Sequence, residues 1–234
     1  MLVLSLFLGL VPGFAWLVFY LSEDPHPEPK RLIVFTFTVG IAFGFFTIVI
    51  EQWFNGGLKQ AGIAEFSVLS LLGLALIEEC MKFAAAYFAV GKSPELDEPI
   101  DAMIYMIVAA LGFATLENIG ALTNAAMAAA AVANGNPGTL IATVFETASL
   151  RFVGATLLHS LASAIVGYHW ALGMVHKKVP EYLFSGIIFA MILHATFNWL
   201  ILNYADVGYA VLFLLVVGFF VLNDFEKLKA APAA

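Results

Sequence analysis

The run LALIEECMKFAAAYF places Glu78, Glu79 and Lys82 in the middle of an otherwise apolar stretch. Glu78 and Lys82 stand at i and i+4, one helical turn apart, with the acid on the N-terminal side, the order that favours an ion pair. A neutralised pair bracing two helices would explain Lys82. It leaves Glu79, about 100° further round a helix, without a purpose. Three other apolar stretches carry polar groups of the same kind. LGFATLENIGAL holds Glu117 and Asn118, with Phe113 one turn earlier. RFVGATLLHSLASAIVGYHW holds His159 and Ser163, with Arg151 two turns before. FAMILHATFNWL holds His194 and, one turn on, Asn198. A lone buried Glu, His or Asn is an ordinary interhelical hydrogen bond, and Phe113 alone is ordinary packing. Together, four stretches put acids, imidazoles and an amide at similar depth, and scattered structural pairs have no reason to share a level.

Such a set suits hydrolysis. Attack by water needs a base to take its proton and donors for the developing oxyanion. Two carboxylates in a desolvated site can hold one proton between them while one acts as the base. His194 and Asn198 are spaced to donate to an oxyanion. Glu and His side chains from several helices also suit zinc, with three protein ligands and an open position; Glu78, Glu117, His159 and His194 are the candidates. No H-E-x-x-H run supports that reading, and the residues leave metal-dependent and metal-free water activation both open. A serine mechanism is disfavoured, because Ser160 and Ser163 share a helix with His159 and lack a nucleophile elbow. Cys80 points away from the Glu78 face and has no evident base.

The elements that must hold these groups are membrane helices. The chain of 234 residues is 62% hydrophobic and 12% charged, with mean hydropathy +0.95. A soluble domain is about half apolar and about a quarter charged. Apolar runs long enough to cross a ~30 Å hydrocarbon core recur at roughly 2–21, 32–51, 64–90, 100–124, 150–174, 182–203 and 206–223. The fold expected is all-α, a polytopic bundle of about seven transmembrane helices forming a single domain over 1–234, with the motif-bearing core at about 64–203. Breaks fall at SEDPHPEPKR, at Asn55–Gly57, at GKSPELDEP, at NGNPG (134–138), at HKKVP and near Asp206. Residues 125–149 read as an extension of the fourth segment followed by an outer helix or an early start of the fifth. The first segment has no basic n-region and no A-x-A site, so it reads as a retained helix rather than a cleaved signal.

Basic residues orient the bundle. With the N-terminus outside, the cytoplasmic regions hold Lys30, Arg31, Lys92, Lys177, Lys178, Lys227 and Lys229, and the outer loops only Lys59. That bias places the C-terminus in the cytoplasm. Gly40/Gly44, Ser160/Ala164 and Ser163/Gly167 are small-xxx-small pairs that let helices approach closely in lipid. The formal charge of −7 sits in short loops and a few intramembrane positions, so no nucleic-acid partner is expected. One cysteine excludes an internal disulfide framework. Buried acids also serve proton relays, so a proton-coupled transporter or a non-catalytic scaffold are the readings from other classes. No inverted repeat supports the first.

The ordered motifs resemble the PrsW family of intramembrane proteases. EECMK is similar to that family's EExxK. DEPIDAMIYMIVAALGFATLENI resembles its second motif region, with Phe113 and Glu117 as FxxxE. His159 with Ser163 and His194 with Asn198 resemble its later His-centred motifs. The resemblance covers about residues 75–200. It implies a bacterial inner-membrane enzyme cleaving membrane-anchored proteins in or near the bilayer, and a relation to the CAAX prenyl proteases. By this similarity Glu78 is the water-activating base with Glu79 its partner, and Glu117 stands where the CAAX enzymes have a His. His194 and Asn198 form the oxyanion site, and Lys82 orients the carboxylates. No cofactor is required on that reading, with zinc as the alternative.

Overall fold

The computed structural model describes residues 2–132, 136–204 and 206–230. Among them are eight helices and no strand: α1 (Leu2–Leu21), α2 (Lys30–Gln60), α3 (Val68–Val90), α4 (Pro99–Val132), α5 (Pro137–Val153), α6 (Ala155–Val175), α7 (Val179–Asn203) and α8 (Gly208–Lys229). Six helical stretches are long and apolar enough to cross a membrane, with α5 and α6 acting as one. α3, 23 residues long, stands outside that set because Glu78, Glu79 and Lys82 lie within it.

Helix starts follow local chemistry. Ser67 accepts from the Ser70 N–H (3.3 Å) to cap α3, as expected of a serine at this position. Asp101 reaches back to accept from the N–H groups of Asp97 and Glu98 (3.1 and 2.6 Å) at the start of α4. Asn136 caps α5, with Pro137 at its first turn.

The core is built around α4, in which every residue from Ile100 to Leu111 is buried. It packs against α1, α2, α5 and α6. Small residues permit this. A Cβ on Gly40 of α2 would lie 2.1 Å from the Ala109 carbonyl oxygen of α4, and one on Gly167 of α6 would lie 2.6 Å from Met103 Cα. Burying apolar groups against one another gains little in lipid, so this backbone proximity supplies the packing.

The segment bounds differ from the sequence expectation in two places. α2 does not stop near residue 51 but runs through Gly56 and Gly57, neither of which has a neighbour that a Cβ would meet. Glycine in a helix costs only about 1 kcal/mol, and Phe54 anchors the extension by lying over Gly73 of α3. The fifth segment begins early, as α5, and is interrupted at Gly154, where the backbone leaves helical geometry at φ −108, ψ −93. α4 continues to Val132 as expected; residues 133–135, which include the first two of the predicted NGNPG break, lie outside the described residues, and its last three open α5.

At the basic end of the bundle the loops are tied together. Lys229 pairs with Glu23 (2.8 Å), His26 with Glu98 (3.0 Å), and the Tyr105 hydroxyl donates to Glu28.

Candidate active site

α3, α4, α6 and α7 each bring one part of the predicted set to a common centre. At 1.5 Å per residue, Glu78, Glu117, His159 and His194 lie roughly 18–27 Å along their helices from the basic end, in the half further from it.

Lys82 is fully buried and stands at the middle. Its ammonium donates to Glu79 Oε1 at 2.8 Å and to His159 Nδ1 at 2.7 Å. It lies 5.0 Å from the centroid of the Phe113 ring, and Phe113 also packs on His159. Glu78 Oε2 is 3.3 Å from the same ammonium, an ion-pair distance without hydrogen-bond geometry, so that buried oxygen has no hydrogen-bond partner. The lysine thus takes Glu79, three residues away, as its hydrogen-bonded acid. Glu78, the i,i+4 partner in sequence, is left with a free oxygen.

Each imidazole is held from behind. His194 Nδ1 donates to Glu79 Oε1 (2.8 Å), which turns His194 Nε2 toward Glu78 Oε2 at 3.8 Å. His159 Nε2 donates to Glu117 Oε2 (2.8 Å), which turns His159 Nδ1 toward Glu78 Oε2 at 3.7 Å. These tautomers follow from the carboxylate acceptors and the lysine donor. The two rings meet edge to face at 5.2 Å and 84°. Glu78, His159 and His194 each offer one ligand atom, all within 4.8 Å of one another.

Glu117 is held in turn by Arg151 Nη2 at 3.1 Å, while Arg151 Nε donates to Asn118 Oδ1. Asn118 Nδ2 donates to Thr156 Oγ1 at 3.0 Å. The side chains of Glu117 and Arg151 are 32% and 21% exposed, against 0% for Glu79 and Lys82, so the centre opens on the Glu117 side.

Two predicted residues stay out of this network. Ser163 is buried, and its hydroxyl has no hydrogen-bond partner. Asn198 lies one turn beyond His194, half-buried. A residue to which the sequence reading gave no role joins the centre. Arg151 was visible as a basic residue inside an apolar segment, but its partner Glu117 is set by the break at Gly154.

The donor set fits a divalent cation. Two histidines and a carboxylate, with a fourth position open, is a catalytic zinc arrangement. The carboxylates behind both rings supply the outer support such ligands need, and Glu78 Oε2 is an unpartnered buried oxygen aimed at both rings. The contact that would have to give is the one from Lys82 to His159 Nδ1; the bond from Lys82 to Glu79 can persist.

A family model described as "PrsW family intramembrane metalloprotease" matches residues 28–223. The chain is 32% identical over 232 residues to the Protease PrsW of Geobacillus kaustophilus, covering 97% of this chain and 93% of the relative. It is 24% identical over 226 residues to the Protease PrsW of Bacillus subtilis, covering 95% and 94%. A third relative, the Protease PrsW of Clostridioides difficile, is 24% identical over 218 residues, covering 91% and 85%. No solved structure matches the chain.

Proposed function

Since the chain belongs to the PrsW family of intramembrane proteases, we propose that it is an endopeptidase that cleaves membrane-anchored proteins at the Glu78–His159–His194 centre. The observation that carries this reading is the convergence of those three donors, from α3, α6 and α7, within 4.8 Å, with Glu79 and Glu117 placed to aim the two rings. We place the chain in a bacterial cytoplasmic membrane, N-terminus outside, because seven basic residues gather at one end of the bundle.

On the favoured reading Glu78, His159 and His194 would hold a zinc ion. Bound there, zinc would acidify a water and polarise the scissile carbonyl. Glu79 and Glu117 keep the two rings in the tautomers that turn His159 Nδ1 and His194 Nε2 toward Glu78. Arg151 fixes Glu117 at the open side of the centre, where substrate enters. Asn198, one turn from His194, donates to the oxyanion.

A second reading has one observation behind it. The Lys82 ammonium already lies 2.7 Å from His159 Nδ1 and 3.3 Å from Glu78 Oε2, so a positive charge stands at the centre without a metal. Glu78 then takes the proton of water itself.

Cleavage of a panel of single-pass membrane proteins in liposomes, with elemental analysis of the same sample, separates the two. Zinc bound one to one, activity lost on chelation and regained on adding it back supports the first. Chelator-resistant cleavage that Glu78→Gln abolishes supports the second. Full cleavage by a folded Glu78→Gln protein overturns both.

A further inference from the structure

Away from this centre, α2 and α3 form a groove of about 760 Å³ at the basic end of the bundle. Its walls are apolar and aromatic, with Leu32 and Phe43 from α2 and Phe83, Tyr87 and Phe88 from α3. Tyr87 and Phe88 are exposed. Lys92 stands at the mouth. It is exposed and makes no salt bridge among the described residues, unlike Lys227 and Lys229 at the same end of the bundle. Lys30 and Arg31, exposed just before Leu32, add positive charge beside the mouth.

The length of the groove identifies its occupant. From Leu32 to Phe43 the helix advances about 16 Å at 1.5 Å per residue. That is half of a ~30 Å hydrocarbon core, the depth of one leaflet. A membrane-spanning segment of another protein would need a wall across the whole core. An acyl chain needs one leaflet, and its headgroup would lie at the level of Lys92. A basic residue at that level favours an anionic headgroup about fivefold, the weight of one lysine near an anionic surface.

We propose that the α2–α3 groove binds one anionic phospholipid, with an acyl chain along Phe83, Tyr87 and Phe88 and its phosphate at Lys92. The site is separate from the Glu78 centre, so the proposal does not depend on the protease reading.

Native mass spectrometry of the detergent-solubilised protein with equimolar phosphatidylglycerol and phosphatidylcholine tests it. The wild type is expected to retain one phosphatidylglycerol about fivefold over phosphatidylcholine. Lys92→Glu should abolish that preference. Ala84→Trp, which fills the groove from its wall, should release lipid of either kind. Lys177→Glu, at the same end but outside the groove, should change nothing. Equal retention of both lipids by the wild type would overturn the proposal. So would an equal loss of preference in Lys177→Glu, which would mean that the basic end attracts anionic lipid through its overall charge.

Discussion

Glu79 and Glu117 do the same job from opposite sides of the centre. Each accepts a histidine N–H and so decides which ring nitrogen faces Glu78. Glu79 also neutralises a fully buried ammonium, whereas Glu78 Oε2 has no hydrogen-bond partner. Neighbouring acids should therefore fail differently when neutralised. Glu79→Gln leaves Lys82 without its hydrogen-bonded acid, and breaking a buried pair costs about 3–5 kcal/mol. Glu78→Gln removes no hydrogen bond and leaves Lys82 paired with Glu79, so it should cost clearly less than Glu79→Gln while abolishing cleavage. Unfolding of both variants in mixed micelles, read beside the cleavage assay, checks this; equal destabilisation would contradict the assignment of partners. Arg151 makes a narrower case. It uses Nε and Nη2 on two different acceptors, which a lysine cannot reproduce. Arg151→Lys should lower kcat by about 10–100-fold, as loss of outer support for a ligand does, with KM little changed. A KM effect alone would make Arg151 a substrate contact instead.

At the scale of helices, α4 is the post on which the others are set, and its contacts with α2 are backbone to backbone. A side chain at Gly40 would begin 2.1 Å from the Ala109 carbonyl, and α2 can retreat only by pulling the Phe54 anchor away from Gly73 of α3. Gly40→Leu is accordingly expected to abolish the folded protein, while Gly56→Leu, which has nothing within 4 Å of its Cβ, should be tolerated. Comparing the yield of monodisperse protein from the two variants is the check. The same contrast explains what was legible in the sequence. Gly40 and Gly44 announced a close approach by their spacing, yet spacing could not show that Gly56–Gly57 would stay helical, because Phe54 reaching Gly73 is a tertiary contact. Glu78, Glu79, Lys82, Glu117, His159 and His194 were legible because an ionisable group in an apolar run is costly enough to mark its own position. Their pairing was not. Lys82 chooses Glu79 over Glu78 because His194, 115 residues away on α7, and His159 on α6 arrive beside it, and local spacing favours the other choice. The gap at Gly154 was hidden for the same reason, since nothing near it in sequence distinguishes a break from a packing glycine.

The molecule as a whole is closed at its basic end by a latch of side-chain contacts whose strength is expected to depend on pH. The α1–α2 loop is held to α4 through Glu28 and Tyr105, to the α3–α4 loop through His26 and Glu98, and to the end of α8 through Glu23 and Lys229. Burial pushes the Glu28 carboxyl up from its ordinary 4.5 to about 8, and the nearby Asp24 and Asp101 charges push in the same direction. Between those values the folded protein holds a proton that the unfolded chain releases. The stabilising contribution is therefore complete below about pH 4.5 and is lost as pH rises through about 8. His26 acts in the same sense, because the Glu98 carboxylate raises its pKa and favours its protonated form; its full exposure to solvent makes that contribution minor. Stability measured by thermal unfolding in detergent should thus fall from pH 5 to pH 9. Glu28→Gln, which keeps an acceptor for Tyr105 and cannot ionise, should flatten the fall and leave the variant the more stable protein at pH 9. Because the latch lies at the far end of the helices from the Glu78 centre, the variant should cleave substrate normally at pH 7, and a pH slope identical to that of the wild type would show that Glu28 does not hold the proton.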